Sequence, residues 1–188
     1  MSTAAAYDML AISRTTAAGA RRITNILSGL GFPSTKHWQG IHNTREHLWL
    51  IQANQDRPDH RPSAREDLKE FAIQEYNLKL FRAYGGDLIS ESPVANFVMR
   101  SLDPATVESL VPKILTQAEL ILERSACLSF ALFEVDGSIS DWLGVTTWPD
   151  LAAFNSYARW AASHPWGEVI SPNTLAVPLR LLTRQVKE

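Results

Sequence analysis

Five histidines, His37, His42, His47, His60 and His164, are the side chains here that change charge near neutral pH. Each is therefore a candidate proton shuttle. His42 and His47 flank the turn Asn43-Thr44-Arg45-Glu46 and could act as a pair across a hairpin. His164 follows a helix, where it could act as acid or base or satisfy the last helix carbonyls. His60 sits among Arg57, Arg61 and Arg65, balanced by Asp56, Asp59, Glu66 and Asp67, and reads as part of a solvated loop. His37 falls on the strand face opposite Trp38 and takes the same surface reading. A metal site built on His42 and His47 would need a third and a fourth ligand, which no His, Cys, Asp or Glu spacing supplies. Cys127 has no nearby histidine or helix start and reads as buried packing. Tyr84-Gly85-Gly86 is a turn signal and not a phosphate loop. No local signature supports a Ser/His/Asp triad.

These side chains are positioned by two strand hairpins. Asp136-Gly137 lies between apolar runs and predicts strands over 128–135 and 138–147. Lys36 to His42 and His47 to Asn54 predict the other pair. Pairing His42 with His47 places Trp38, Gly40, His42, His47 and Trp49 on one face, with Gly40 opposite Trp49. Ile41, Leu48 and Leu50 then face helices. Pairing Val135 with Ser138 likewise groups Ser129, Ala131, Phe133, Trp142 and Gly144, with Ala131 opposite Trp142. Phe130, Leu132, Leu143 and Val145 become the helix-packing set. A small residue opposite an indole leaves volume, so the pocket is expected on the face away from the helices, walled by Trp38, Trp49, Phe133 and Trp142. Trp148 and Trp160 read as core or rim packing.

Helices flank the hairpins. Asp103-Pro104 predicts a helix start, and Val107, Leu110, Val111, Ile114, Leu115, Ala118, Ile121 and Leu122 form one apolar stripe, with Pro112 expected to kink it or split off its first turn. Trp148-Pro149 opens a second helix with Leu151, Phe154, Ala158 and Ala161 on one face. A last strand over 175–182 carries Pro178, which predicts an edge or a bulge. With a strand at 94–101, the order is that of a ferredoxin-like unit. The first half repeats much of it. Ile23, Ile26, Leu27 and Leu30 mark a helix, and Ser63 with Glu66 predicts a capping box for another carrying Leu68 and Phe71. Its first strand is placed at 8–14 or absorbed in the helix, and its fourth lies within 78–92 or is supplied by 94–101. The fold class is α+β, with antiparallel sheets in two halves, 1–92 and 93–188.

The stretch Trp142-Leu-Gly-Val-Thr-Thr-Trp-Pro-Asp-Leu-Ala-Ala-Phe, with Tyr157 and His164-Pro165-Trp166 after it, resembles the dimeric α/β-barrel superfamily, nearest to proteins of the antibiotic biosynthesis monooxygenase type. The resemblance covers the second half well and the first in outline. It implies that one chain, apparently a tandem duplication, supplies both units of a pseudo-dimeric barrel, each with its own pocket. The superfamily includes cofactor-free oxygenases, polyketide and phenolic cyclases, decarboxylases, isomerases and haem degraders, so fold does not choose a reaction. In its cyclase branch a tyrosine and a histidine near the end of the second helix do acid–base work, and Tyr157 and His164 match them by position. Their spacing is not a strict match, the first half has no comparable pair, and the loop 55–62 is atypical.

A chain of 188 residues, 45% hydrophobic and 20% charged, is globular and long enough for a core without metal or disulfide staples. A formal charge of −2 gives no pull toward nucleic acid or an anionic membrane. One cysteine forms no intramolecular disulfide, Met1 to Leu10 lacks a leader pattern, and no apolar run reaches the ~18 residues of a membrane span. The expectation is a cytoplasmic, cofactor-independent enzyme acting on a small hydrophobic or aromatic metabolite, a monomer or weak homo-oligomer. In it, His164 or His42/His47 is acid or base and Tyr157 a hydroxyl donor, in cyclase, isomerase or lyase chemistry. Cofactor-free oxygenation of a phenol or polyketide, and ligand binding without reaction, are the alternatives.

Overall fold

The computed structural model describes residues 6–12, 14–31, 35–52, 66–86, 92–163 and 170–186. In chain order it contains β1 (Ala6–Ile12), α1 (Ala17–Ser28), β2 (Thr35–Gly40), β3 (His47–Gln52), β4 (Gln74–Gly85), β5 (Val94–Leu102), α2 (Val107–Arg124), β6 (Ser129–Val135), β7 (Asp141–Trp148), α3 (Leu151–Ala162) and β8 (Thr174–Gln185). The strands close a barrel in the order β1-β3-β2-β8-β5-β7-β6-β4, antiparallel at every joint. Its two halves have the same internal order. The first runs β4-β1-β3-β2 and the second β8-β5-β7-β6, so the last strand of each half pairs with the second strand of the other. The protein is thus an α+β pseudo-dimeric barrel of two ferredoxin-like units. Among the described residues no helix is long and apolar enough to cross a membrane.

Period-two alternation sends one set of side chains from all eight strands inward, including Met9, Trp38, Leu48, Phe97, Phe133 and Leu143, each at most 1% exposed. This interior is filled and apolar. The outward set is covered by helices. α1 packs Ala20, Ile23 and Leu27 on Leu10, Trp49 and Ile51, while α2 lays Leu110, Val111 and Ala118 on Phe130, Leu132 and Trp142. α3 brings Phe154 and Tyr157 against Trp148.

Both hairpin registers differ from the expectation. Gln39, not His42, pairs with His47, and Glu134, not Ala131, pairs with Trp142. The cause is longer turns. Gly40 N–H donates to the Glu46 carbonyl at 2.8 Å and Ile41 N–H turns away to Leu182 of β8. In the second turn, Ser138 follows Gly137 (φ 80°) and its Oγ accepts from the Ser140 and Asp141 amides, holding those residues in the loop. Each pairing is displaced by an odd number of residues, which exchanges the faces assigned to one strand relative to the other. Trp38, Ala131 and Phe133 therefore belong to the barrel interior, with Leu48, Leu50, Leu143 and Val145, while Trp49, Trp142, Phe130 and Leu132 face helices.

Other expectations fare unevenly. The helix expected around Leu68 and Phe71 is a single 3₁₀ turn, Glu66–Leu68, because β4 takes the chain from Gln74; Ser63 lies outside the described residues. α2 starts at Val107 after a turn through Pro104 and runs on across Pro112. Pro178 does lie at a bulge: Met99 pairs with Leu179 but Ser101 with Ala176.

Candidate functional site

A cavity of about 220 Å³ lies between the outer face of β5, β6 and β7 and the helices α2 and α3. Alternation supplies its floor: Asn96, Val98, Arg100 and Leu102 from β5, Trp142, Gly144 and Thr146 from β7. Gly144 pairs with Val98 and Leu132. A Cβ built there would meet only the Val98 carbonyl, at 3.8 Å, so the absent side chain leaves open volume beside the Trp142 ring. The expected gap beside an indole is therefore present, but Gly144 makes it and it opens toward the helices. Gly40 makes none, since a Cβ there would lie 2.5 Å from the Asn43 carbonyl. Trp142 is steadied edge-on by Phe81, the extra residue of a β4 bulge between Leu80 and Arg82.

Tyr157 borders this cavity. Asp150 caps α3, accepting from the Ala153 amide at 2.8 Å, and the Tyr157 ring stacks on Trp148 at 4.9 Å. Trp148 is itself pinned by its indole N–H to Thr146 Oγ1 at 3.0 Å. Burial raises the Tyr157 pKa, and Cys127 adds to this, while Arg100 and Arg180 oppose it. The phenol thus stays protonated with two guanidiniums in electrostatic reach. Arg100 lies directly opposite Trp142 on the sheet. Burial and then Arg180 lower its pKa, with Tyr157 opposing. Among the described residues Arg100 has no carboxylate partner. Arg100 is half-buried, and its desolvation is not offset by any acidic side chain described. The sequence signal for Arg100 is a cation and an amide, Asn96, alternating with Phe97 and Met99 in an otherwise apolar strand.

The histidines divide differently from the expectation. His42 is exposed in the turn, whereas His47 is buried and its Nδ1 is hydrogen-bonded to His37 Nε2 at 2.8 Å. His37, given a surface reading, is only 7% exposed and stacks on Trp49 at 4.6 Å. His164 lies outside the described residues. Burial, reinforced by His47, holds the His37 pKa down at about 4, and burial also lowers that of His47, against the Thr44 carbonyl. The sign follows directly. From pH 6.5 down to 4 the unfolded chain binds a proton that folded His37 refuses, so stability is lost as pH falls through that window. The expected loss from His37 is on the order of 3 kcal/mol between pH 8 and 4. Denaturation curves across this range should show it, and His37→Gln should flatten them; equal slopes in the two proteins would refute the assignment.

Cys127 is buried, its thiol pushed up to about 11 by burial, and plays a packing role. Among the described residues that line the cavity there is no His, Cys, Asp or Glu, and no cluster of three such groups that could hold a metal ion occurs among the described residues.

No protein-family profile matches the sequence, and neither does any curated protein. Solved structures do share the fold. A candidate monooxygenase from Fusobacterium nucleatum is 8% identical, with a TM-score of 0.74 over 100% of this chain and 94% of that one. An anthrone oxidase-like protein is 10% identical, with a TM-score of 0.71 over 99% and 93%. A ferredoxin-fold protein from Listeria monocytogenes, related to antibiotic biosynthesis monooxygenases, is 9% identical, with a TM-score of 0.67 over 98% and 96%. At such identities the likeness is one of fold, and the fold of this chain is that of ferredoxin-fold proteins related to the antibiotic biosynthesis monooxygenases.

Proposed function

We propose that the cavity of the second half is the active site of a small-molecule tailoring enzyme that binds a hydrophobic, aromatic substrate and stabilises its anion. The observation that carries this is Arg100, a half-buried cation without an acidic partner among the described residues, lining a cavity with Trp142, Phe130 and Leu132 beside a protonated Tyr157. A phenol or enolisable aromatic ketone seated against Trp142 would lose a proton and place its oxyanion between Arg100 and the Tyr157 hydroxyl. Fixed donors in a dry site stabilise such an anion far more than water does. On sequence grounds His164 takes the proton and returns it, giving cyclisation, isomerisation or loss of a group without a bound cofactor. The repeated strand order supports a tandem origin for the two halves.

A second reading is cofactor-free oxygenation, in which the anion itself reduces dioxygen. It is favoured by the absence of a carboxylate or imidazole among the described lining residues, which suits the site to anion stabilisation, and by the name of the anthrone oxidase-like neighbour. Anthrone is the natural probe, since anthrone plus O2 gives anthraquinone and water, the proton lost on ionisation being returned to the departing hydroxide.

Anthrone and a panel of phenols and enolisable aromatic ketones should be assayed for binding, product mass and oxygen uptake. Product without oxygen uptake supports acid–base tailoring, and one O2 per product supports oxygenation. Binding without product would reduce the protein to a ligand carrier and sink both enzyme readings. Gly144→Leu should abolish binding and turnover while unfolding at an unchanged denaturant midpoint, because the new side chain enters open volume. Normal turnover in that variant would show that the reaction occurs elsewhere.

A further inference from the structure

The strand order β8-β5-β7 sets Arg180, Arg100 and Trp142 in a line across one sheet face. Leu179 and Leu181 pack into the barrel, so Arg180 between them points outward, as does Val98 opposite it. Arg180 therefore stands on the face that carries the cavity, diagonal to Arg100. Directly opposite Arg100, the β8 bulge sets Val177 and Pro178 against a single residue of β5, and neither can pair with a cation. Two guanidiniums thus flank the β8 side of the site, Arg100 half-buried and Arg180 exposed. Arg184, opposite Val94, adds a third cation further along the same face.

No acidic side chain among the described residues neutralises this row. The carboxylates at the ends of β5 and β7 are engaged locally. Asp141 accepts from the hydroxyls of Ser101 and Ser138, and Asp103 accepts from the Ala105 amide at 3.0 Å. The other polar groups lining the cavity are Asn96, Gln117, Thr146, Tyr157 and Ser171, all uncharged, Tyr157 because burial keeps its phenol protonated.

One oxyanion, held by Arg100 and the Tyr157 hydroxyl, accounts for one cation only. Like charges on neighbouring strands repel, so the second guanidinium is a cost that a second anion would remove. Diagonal neighbours on a sheet face lie roughly 7 Å apart, about the span between para substituents of a benzene ring. A ring resting on Trp142 with its ionising oxygen at Arg100 can therefore carry a carboxylate as far as Arg180.

Resting on the Arg100 site argued above, we infer that the substrate is an aromatic acid, with Arg180 receiving its carboxylate while Arg100 and Tyr157 hold the oxygen that ionises. The probes are 4-hydroxybenzoate and 4-hydroxybenzamide, which differ in charge and little in shape. By titration calorimetry at low salt the acid should bind about three- to fivefold more tightly than the amide, the margin expected of an exposed ion pair. It should shrink at high salt, where exposed charges are screened. Arg180→Gln should bring the two affinities together, and Arg180→Lys, which keeps the charge, should restore most of the difference. Gly144→Leu should abolish binding of both compounds, since it fills the cavity they share. Equal affinities in the parent protein, a preference untouched by Arg180→Gln, or binding retained in Gly144→Leu would each overturn the inference, as would no binding of either compound up to its solubility. The Arg100 site is judged separately, by anthrone and by the uncharged amide, so an amide that binds as well as the acid would remove the carboxylate and leave that site standing.

Discussion

Arg100→Leu should lower kcat/KM toward an ionisable aromatic substrate by about 100- to 1000-fold, the usual effect of removing a fixed donor from a developing oxyanion, and the variant should unfold no more easily than the parent. The two halves of this expectation have one cause. Arg100 stands on the outer face of β5, opposite Trp142, with Arg180 as a like charge nearby and no acidic partner among the described residues. Desolvation of the guanidinium therefore works against folding, and an apolar replacement relieves it. Residues kept at a cost to stability are those that function requires. Arg100→Lys would retain charge but lose the planar fork, and should recover part of the activity. The measurements are steady-state kinetics and a denaturant titration on the same preparations. A marked fall in stability with activity intact would make Arg100 structural, satisfied by a group other than substrate.

The pocket was legible in the sequence as an idea and misplaced as a location. Asp136-Gly137, the apolar stripe of α2 and the Trp148-Pro149-Asp150 helix start are local signals, and each produced its element. Which face of a hairpin looks inward is not local in the same way. It depends on the parity of the turn, and here a serine hydroxyl in one turn and a strand-switching Ile41 amide in the other changed that parity. Tyr157, singled out by the resemblance alone, lies on a helix whose start is local, and it borders the cavity. His37 reads as surface because it lies on the face opposite Trp38; with Gln39 opposite His47, that face is covered by α1 and His37 is the diagonal neighbour of His47. Arg100 carries no such local signal, because a lone charge in a strand acquires meaning only when the neighbouring strands are known to lack its counter-ion.

The same parity argument yields a second large effect, in stability. Phe133 was expected as a pocket wall, yet it lies inside the barrel, fully buried, with Tyr7 edge-on at 5.5 Å. Phe133→Ala should therefore cost about 3–5 kcal/mol in unfolding free energy, from lost transfer energy and the cavity left among Leu143, Phe97 and their neighbours. The interior is closed on all sides by strands, so no helix can move in to fill the space. Ala131→Leu, on the same side, should overpack that interior at a cost of about 1–3 kcal/mol. Neither change touches the lining around Trp142 and Tyr157, so the affinity for anthrone, measured on the folded fraction, should stay within a factor of a few. Gly144→Leu reverses the pattern, with stability retained and the ligand lost. The contrast assigns one face of the sheet to folding and the other to chemistry. Should Phe133→Ala prove nearly as stable as the parent and no longer bind the ligand, the barrel interior, and not the space under α2 and α3, would be where substrate enters.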